Sequence, residues 1–273
     1  MLKFLIALMI LVMPLTVSAQ SQNLWLDGDH GKLSAVLQTP DGKSNYPLVI
    51  LCHGFTADKN HVLLKTLAKY LERRGIASIR FDFNGHGKSK GKFQDMTVLN
   101  EIEDAKKVYE YARALPNVTS ISIMGHSQGG VVAGMVAGEL GAKKIKSIVL
   151  MAPAAVLRDD ALRGNLFGAS YNALKPPKYV EINNHGLRRV GREYIKTAQT
   201  LPIYETAEKF HGKALMIHGT GDVVVPYTYS LSYKKVLKHG EVKLLDGVDH
   251  SFRGQERLTA KIAADWFAIQ LKK

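Results

Sequence analysis

A serine between two glycines is the first feature of this sequence that could carry chemistry. Ser127 lies in Gly125-His126-Ser127-Gln128-Gly129, which fits the pattern G-x-S-x-G. An apolar strand pattern precedes the motif and a helix pattern follows it, and small residues permit the sharp strand-to-helix turn that exposes a nucleophilic serine. The start of the helix would direct N–H groups at developing negative charge. The alternative is an ordinary serine in a glycine-rich turn.

A serine nucleophile needs a general base, and the base needs an acid that orients it. In a strand–turn–helix architecture both partners follow the serine in the chain, the acid first. Asp222 in IHGTGDVVVP and His250 in LLDGVDHSF each follow a predicted strand. The carboxyl ends of parallel strands are where open α/β sheets gather their active sites. We therefore predict a Ser127–His250–Asp222 triad, with Asp249 as the rival acid.

The turn CHGF, which follows the apolar run YPLVIL, predicts the second half of an oxyanion hole. We assign the two donors to the backbone N–H groups of Phe55 and Gln128. One such donor is worth about 3–4 kcal/mol in enzymes of known mechanism. The alternative is a plain turn at a strand end. We expect His53, His86 and His126 to be structural because of their positions in tight turns or before the serine.

Strand patterns alternate with helix patterns from about residue 47 onward. This order favours an α/β fold with a mostly parallel sheet and helices on both faces. The N-terminal patterns NLWLDG and KLSAVLQTP would form an antiparallel edge, with a turn at Asp27 to Gly31. Helical spacing predicts two buried stripes. These are Val98, Ile102, Ala105, Val108 and Ala112 in one helix and Leu258, Ile262, Trp266 and Ile269 in the last.

One segment interrupts the alternation. From Pro153 to about Glu205 the sequence is polar and irregular, and no strand pattern stands out. An excursion of roughly fifty residues within a compact domain is usually a lid or a binding element. We therefore predict a lid insertion at about 153–205 within a single domain that covers residues 20–273.

The N-terminal stretch differs from everything after it. Lys3 precedes an apolar run from Phe4 to Leu15, and small residues at 17–19 suit a cleavage site. This pattern predicts a secretory signal peptide at residues 1–19 and export to the periplasm or the exterior. The alternative is an N-terminal anchor, but the run is shorter than the roughly 20 residues that a spanning helix needs. No stable membrane insertion is expected after cleavage.

The formal charge is +13, but the lysines and arginines are scattered over many segments. No basic run interleaved with aromatic residues points to a nucleic-acid partner. A solvated basic surface is the default interpretation, and a weak attraction to acidic polysaccharide is the alternative. Cys52 is the only cysteine, so no internal disulfide can form. We expect Cys52 to be a buried core residue. The oligomeric state stays open, with a homodimer among the alternatives.

Several motifs resemble the α/β-hydrolase superfamily: HGF at 53–55, DFNGHG at 82–87, GHSQGG at 125–130, HGTGD at 218–222 and DH at 249–250. More narrowly, FDFNGHGKS, GHSQGGVVAG, MAPAAVLRDDALRGN and LPIYE resemble the bacterial cinnamoyl (feruloyl) esterases. The resemblance extends over essentially the whole chain after the signal pattern. It implies the α/β-hydrolase fold with a lid. It also implies a serine esterase that releases hydroxycinnamates from plant cell-wall sugars and needs neither a metal nor an organic cofactor.

The resemblance also implies substrate-binding residues in the insertion. The match of RDDALRGN implies that Asp160 hydrogen-bonds ring hydroxyl groups, and the match of EYIKTAQTLPIYE implies a similar role for Tyr194. The family often has a glutamine a few residues after that aspartate. Phe167 stands in its place here, which removes a polar contact. Without the resemblance, Asp160 would be interpreted as a surface carboxylate or helix cap and Tyr194 as a core residue of the lid.

Two other functions stay open at this point. The same triad would serve a general short-chain acyl esterase or a serine peptidase, with a small-molecule ester or a peptide as its substrate. The second alternative is a binding protein that has kept the fold but lost catalysis. Such a protein would lack a triad member, whereas this sequence contains all three. The expected partner is therefore a small-molecule ester, free or attached to a polysaccharide.

Overall fold

The computed structural model describes residues 20–183 and 186–272, so the predicted signal peptide lies outside the described residues. The strands in these ranges are β1 Gln20–Gly28, β2 Gly31–Thr39, β3 Tyr46–Cys52, β4 Ala77–Phe81, β5 Val118–His126, β6 Ser147–Met151, β7 Asn165–Leu166, β8 Ala169–Ser170, β9 Tyr179–Asn183, β10 Leu187–Gly191, β11 Lys213–Gly219 and β12 Gly240–Leu245. Eight of them form one sheet in the order β1-β2-β4-β3-β5-β6-β11-β12.

Helices separate most of these strands. They are α1 Val62–Glu72, α2 Val98–Ala114, α3 Gln128–Leu140, α4 Val156–Arg163, α5 Arg192–Thr200, α6 Ile203–Ala207, α7 Thr228–Val236 and α8 Glu256–Leu271, with a 3₁₀ turn at Phe93–Asp95. Among the described residues, no helix combines the length and the apolar character that crossing a bilayer would require.

The sheet is parallel from β4 to β12 and antiparallel only at the N-terminal edge, where β1 pairs with β2 and β2 with β4. The prediction of a mostly parallel sheet with an antiparallel edge is confirmed. The two N-terminal strands are longer than their apolar patterns suggested, because backbone pairing continues through polar residues from Gln20 to Thr39.

Both faces of the sheet are buried, as β3 illustrates. Leu48 and Ile50 pack into the core on the side of α2 and α3, and Val49 and Leu51 pack into the core beneath α1 and α8. Successive side chains of a strand point to opposite faces, so a continuous apolar run fills both cores. Cys52 belongs to the first core and is fully buried, as expected.

The predicted stripe of α2 is confirmed, because all five of its residues are buried. The predicted stripe of α8 is confirmed only in part. Trp266 is buried and Ile262 packs partly buried against the core, but Leu258 and Ile269 are 47% and 65% exposed. The buried face also carries Ala263, Ala264 and Phe267. Small side chains let a helix lie close to its neighbours, so α8 packs against α1 and the sheet through alanines.

The insertion between β6 and β11 holds α4, α5, α6 and two antiparallel hairpins, β7–β8 and β9–β10. The sequence offered no clear strand here for two reasons. Strands of two residues are too short to show a period, and β9 buries only Val180 and Ile182 while its other residues stay more exposed. A cover that opens and closes over the site stays a prediction.

Candidate active site

The turn between β5 and α3 holds Ser127 in a conformation that few side chains adopt, with φ 57° and ψ −125°. Glycine is required on both sides of it. A Cβ on Gly125 would lie 1.9 Å from the carbonyl oxygen of Gly129, and a Cβ on Gly129 would lie 2.3 Å from that of His53. The G-x-S-x-G spacing is therefore a steric requirement of this turn, which presents the serine hydroxyl at the edge of the sheet.

The structure brings the three predicted triad residues together. His250 Nε2 lies 2.9 Å from Ser127 Oγ, and His250 Nδ1 lies 2.7 Å from Asp222 Oδ2. Because a carboxylate only accepts hydrogen bonds, Nδ1 donates and Nε2 is left to accept the serine proton. Asp222 follows β11 and His250 follows β12, so parallel strand ends set their separation.

The Asp222 carboxylate is completely buried and densely hydrogen-bonded. Its Oδ1 accepts from the backbone N–H groups of Val224 and Val225 at 2.9 and 2.8 Å. Burial raises the pKa of Asp222, but hydrogen bonds from His218 and His250 outweigh that effect and hold the pKa below its ordinary value. The carboxylate therefore stays ionised and can stabilise an imidazolium on His250.

Asp249 and the other histidines make hydrogen bonds outside the triad. Asp249 accepts from the backbone N–H of Arg253 at 3.0 Å. His53 donates Nδ1–H to the Gly54 carbonyl, and burial lowers its pKa to about 4. His126 donates Nε2–H to the backbone carbonyl of His250 at 2.9 Å, and burial lowers its pKa well below the usual value. Both rings are therefore neutral members of the loop scaffold around the site.

The two backbone amides predicted to form the oxyanion hole belong to Phe55 and Gln128. Neither the N–H of Phe55 nor that of Gln128 donates a hydrogen bond to another of the described residues. The Phe55 ring is held by three aromatic neighbours, Phe93, Phe167 and Tyr194, at centroid distances of 5.3, 4.9 and 5.7 Å. The loop that carries the predicted Phe55 donor is therefore fixed by packing, as preorganised electrostatic stabilisation would require.

A cavity of about 530 Å³ opens over Ser127. Its lining comes from four places: Phe55 in the loop after β3, the nucleophile turn, the insertion and the loop after Asp222. The insertion contributes Leu157, Asp160, Leu166, Phe167 and Tyr194 among others, and the loop contributes residues 223–226. All three residues predicted to bind substrate therefore line the cavity that contains the nucleophile.

The polar groups of the insertion already have partners. Asp160 Oδ1 lies 2.6 Å from a guanidinium nitrogen of Arg163. The Tyr194 hydroxyl donates to Gln128 Oε1 at 2.7 Å, so only its oxygen lone pairs can serve a ligand. Phe167 stacks on Phe55 with 17° between the ring planes, although its own φ is +49°.

Glu101 is a member of the site that the sequence did not reveal. Gln128 Nε2 donates to Glu101 Oε2 at 2.8 Å, so the hydrogen-bond chain runs from Tyr194 through Gln128 to this carboxyl group. Burial raises the pKa of Glu101 to about 8, and the hydrogen bond from Gln128 opposes that effect. The sequence did contain one signal of its burial: Glu101 lies three residues after Val98 and therefore on the buried face of α2.

His218 was also missed, although it lies in the HGTGD motif. Its side chain is fully buried at the end of β11, and its Nε2 lies 3.1 Å from Asp222 Oδ2. A histidine that follows four apolar residues in a buried strand resembles a satisfied core residue. Only the fold places it against the Asp222 carboxylate.

Comparison with known proteins gives consistent results. A family model described as "Serine aminopeptidase, S33" matches residues 43–184. The solved structure of Est1E from Butyrivibrio proteoclasticus with bound ferulic acid is 30% identical, with a TM-score of 0.87, and the match covers 92% of this chain and 100% of that one.

Curated relatives match over smaller shares of their length. An uncharacterized 31.7 kDa protein of Escherichia coli is 33% identical over 36% of this chain and 35% of its own length. Protein ABHD12B of Homo sapiens is 27% identical over 82% of this chain and 56% of its own length. The chain thus spans about a third and about half of these two relatives.

Proposed function

Because this chain belongs to the α/β-hydrolase superfamily, we propose that it is a serine esterase whose substrates are hydroxycinnamate esters such as feruloyl and coumaroyl esters of plant cell-wall sugars. Ser127 Oγ attacks the ester carbonyl while His250 Nε2 takes its proton. The N–H groups of Phe55 and Gln128 hold the oxyanion. The alcohol leaves with a proton from His250, and water then releases the acid from the acyl-enzyme.

The lining of the cavity is the observation that carries the substrate proposal. Phe55 and Phe167 present flat aromatic surfaces beside Ser127, and Asp160 and Tyr194 add polar oxygens. A hydroxycinnamate is likewise a flat apolar ring with hydroxyl or methoxy groups. The Tyr194 oxygen can accept a hydrogen bond from a phenolic hydroxyl, because its own proton is engaged by Gln128. The similarity to a structure that holds ferulic acid supports the same substrate class.

A serine aminopeptidase is the second candidate, favoured by the description of the matching family model. An aminopeptidase has to hold the α-ammonium group of its substrate, which an unpaired carboxylate does best. Among the described residues that line the cavity, Asp160 is the only acid, and its carboxylate is paired with Arg163. The esterase proposal therefore fits these groups better.

A substrate panel tests the proposal. We expect kcat/KM for methyl ferulate and methyl coumarate to exceed that for methyl butyrate, and an aminoacyl p-nitroanilide to be turned over poorly. Slow turnover of every hydroxycinnamate ester beside fast turnover of butyrate would reject the substrate class. Fast turnover of the anilide would favour the aminopeptidase.

The nucleophile is tested separately. Ser127→Ala is expected to lower kcat for any accepted ester by about 10⁶-fold, as loss of the triad serine does in a known protease. Ser251→Ala is the matched control, because this serine lies one residue beyond His250 and its side chain makes no hydrogen bond to the triad within the described part of the chain. Unchanged activity of the Ser127 variant would reject the mechanism whatever the substrate.

A further inference from the structure

The catalytic acid has two histidine neighbours rather than one. His218 Nε2 lies 3.1 Å from Asp222 Oδ2, the same oxygen that receives the Nδ1–H of His250. It also lies 2.8 Å from the backbone carbonyl oxygen of Val225. On the other side of the ring, His218 Nδ1 lies 2.7 Å from the hydroxyl of Ser230 on α7.

The directions of these hydrogen bonds follow from the partners. A carbonyl oxygen can only accept, so Nε2 of His218 carries a hydrogen and donates toward both Val225 and Asp222. With the two backbone N–H groups on Oδ1, the Asp222 carboxylate is then surrounded by four donors. Each of its oxygens receives two of them, which leaves the carboxylate one orientation.

We infer that His218 is a positioning residue for the reaction: it holds Asp222 in the orientation in which Oδ2 receives the N–H of His250. It does not line the cavity, so it does not contact the substrate itself. Because it also binds Val225, it ties the acid to residues 223–226, which do line the cavity. The inference rests on the proposed function to the extent that Asp222 serves His250.

The physical reason is the cost of an unsatisfied buried charge. The side chains of His218 and Asp222 are both 0% exposed, so water cannot replace a lost N–H donor. A buried carboxylate that has lost one donor would either rotate toward other partners or take up a proton more readily. Either change weakens its bond to His250, which the transition state needs more than the bound substrate does.

Two substitutions by side chains of similar length distinguish a positioning role of His218 from a role in packing alone. His218→Gln keeps an N–H donor near the position of Nε2, whereas His218→Met fills similar space without a donor. The readouts are kcat and KM for p-nitrophenyl acetate and the rate at which a fluorophosphonate labels Ser127. We expect the Met variant to lose about 10- to 100-fold in kcat, the effect of one hydrogen bond to a charged group. The KM of the Met variant should stay within about twofold of the wild-type value. The Gln variant should keep most of the wild-type kcat.

Ser230→Ala provides a milder version of the test. It removes the partner of Nδ1 and leaves the ring in place, so we expect a smaller loss of kcat in the same direction. Ser147→Ala is the matched control, because it removes another fully buried hydroxyl pair, that with Ser122 at 2.9 Å. This control should keep the kcat of the wild type. Ser230→Ala carries the test alone if the Met variant does not fold, as judged by its circular dichroism and thermal melt.

Three outcomes would overturn the inference. These are wild-type kcat in the folded Met variant, equal losses in the Gln and Met variants, and equal effects of Ser230→Ala and Ser147→Ala. Failure of the proposed function itself has a different signature. In that case Ser127→Ala would keep its activity and would still be labelled by the fluorophosphonate, whichever residue stands at position 218.

Discussion

Strained backbone conformations occur at single residues near the ends of the sheet strands. Five non-glycine residues among those described have positive φ: Thr56, Ser127, Ala152, Phe167 and Phe252. The first three lie one to four residues beyond the end of a sheet strand, Phe252 lies in the loop between β12 and α8, and Phe167 is in the insertion. A left-handed conformation costs a non-glycine residue roughly 1–2 kcal/mol. Such strain persists where the surroundings enforce it, which is common at functional sites.

Phe167 offers a prediction at this scale. It lies with Gly168 in a turn where both φ angles are positive, a geometry that suits asparagine far better than phenylalanine. We expect Phe167→Asn to leave the free energy of unfolding within about 1 kcal/mol, because the relieved strain offsets the lost stacking on Phe55. The same change should lower kcat/KM for methyl ferulate by roughly 10-fold more than for methyl butyrate, the value of one aromatic contact.

Leu174→Asn is the control for this variant. Leu174 also belongs to the insertion, but it is 98% exposed and lies outside the cavity lining. Urea unfolding and steady-state kinetics on both esters check the comparison. A ferulate-to-butyrate ratio that is unchanged in the Phe167 variant would show that the ring does not contact the acyl group.

At the scale of elements, a buried hydrogen-bond chain connects three helices around the nucleophile. Glu101 on α2, Gln128 at the start of α3 and Tyr194 on α5 are 2%, 2% and 3% exposed. Since α5 belongs to the insertion, this chain attaches the insertion to Gln128, whose backbone N–H is the proposed oxyanion donor. The position of α5 and the geometry of the nucleophile turn are therefore coupled through side chains rather than through the sheet.

Glu101 makes stability depend on pH. Its folded-state pKa of about 8 lies above the ordinary value of 4.5, so the folded protein holds this proton more tightly than the unfolded chain does. The free energy of unfolding should therefore fall as the pH rises from about 5 to about 8, by at most about 1.4 kcal/mol per pH unit for this proton. We expect Glu101→Gln to remove this contribution and give a flatter profile.

Urea unfolding at pH 5, 6.5 and 8 measures both profiles. Asp104, whose pKa burial raises to about 6, contributes in the same direction in the wild type and the variant, so their difference isolates Glu101. Parallel profiles for the two proteins would mean that Glu101 is ionised in the folded state at neutral pH.

The packing of α8 gives a second prediction for an element. Ala263 is fully buried in the core beneath α1 and α8, whereas Ile269 on the same helix is 65% exposed. Ala263→Leu should destabilise the protein by about 1–3 kcal/mol through overpacking. Ile269→Ala, which removes a larger side chain, should change stability by no more than about 0.5 kcal/mol. The midpoints of urea unfolding measure both changes in stability. A larger loss for Ile269→Ala than for Ala263→Leu would contradict the packing described for α8.

For the whole molecule, we propose export followed by removal of residues 1–19. The proposal rests on the charged, apolar and small-residue regions that precede Gln20. In a bacterial host we expect the mature chain to begin at Gln20 and to fractionate outside the cytoplasm. Intact-mass spectrometry of the purified protein checks the first residue. Retention of residues 1–19 with activity in the membrane fraction would favour an anchor instead.

The sequence by itself determined the features that depend on local geometry. Alternating strand and helix patterns led to the parallel sheet, and G-x-S-x-G led to a turn that glycine alone can form around Ser127. The chain order of Ser127, Asp222 and His250 selected the residues that the structure brings within 2.9 Å of one another along the triad. Strand ends of a parallel sheet are neighbours whatever the loops contain, so these contacts could be expected from order alone.

Only the tertiary structure decided which polar groups share a buried space. Glu101 carries no motif, and the motif that contains His218 does not reveal its contacts. Yet in the folded chain Glu101 bonds Gln128 and His218 bonds Asp222. The alanine face of α8 was missed for a related reason. Burial depends on how closely a neighbour approaches, and hydrophobic periodicity within one segment does not contain that distance.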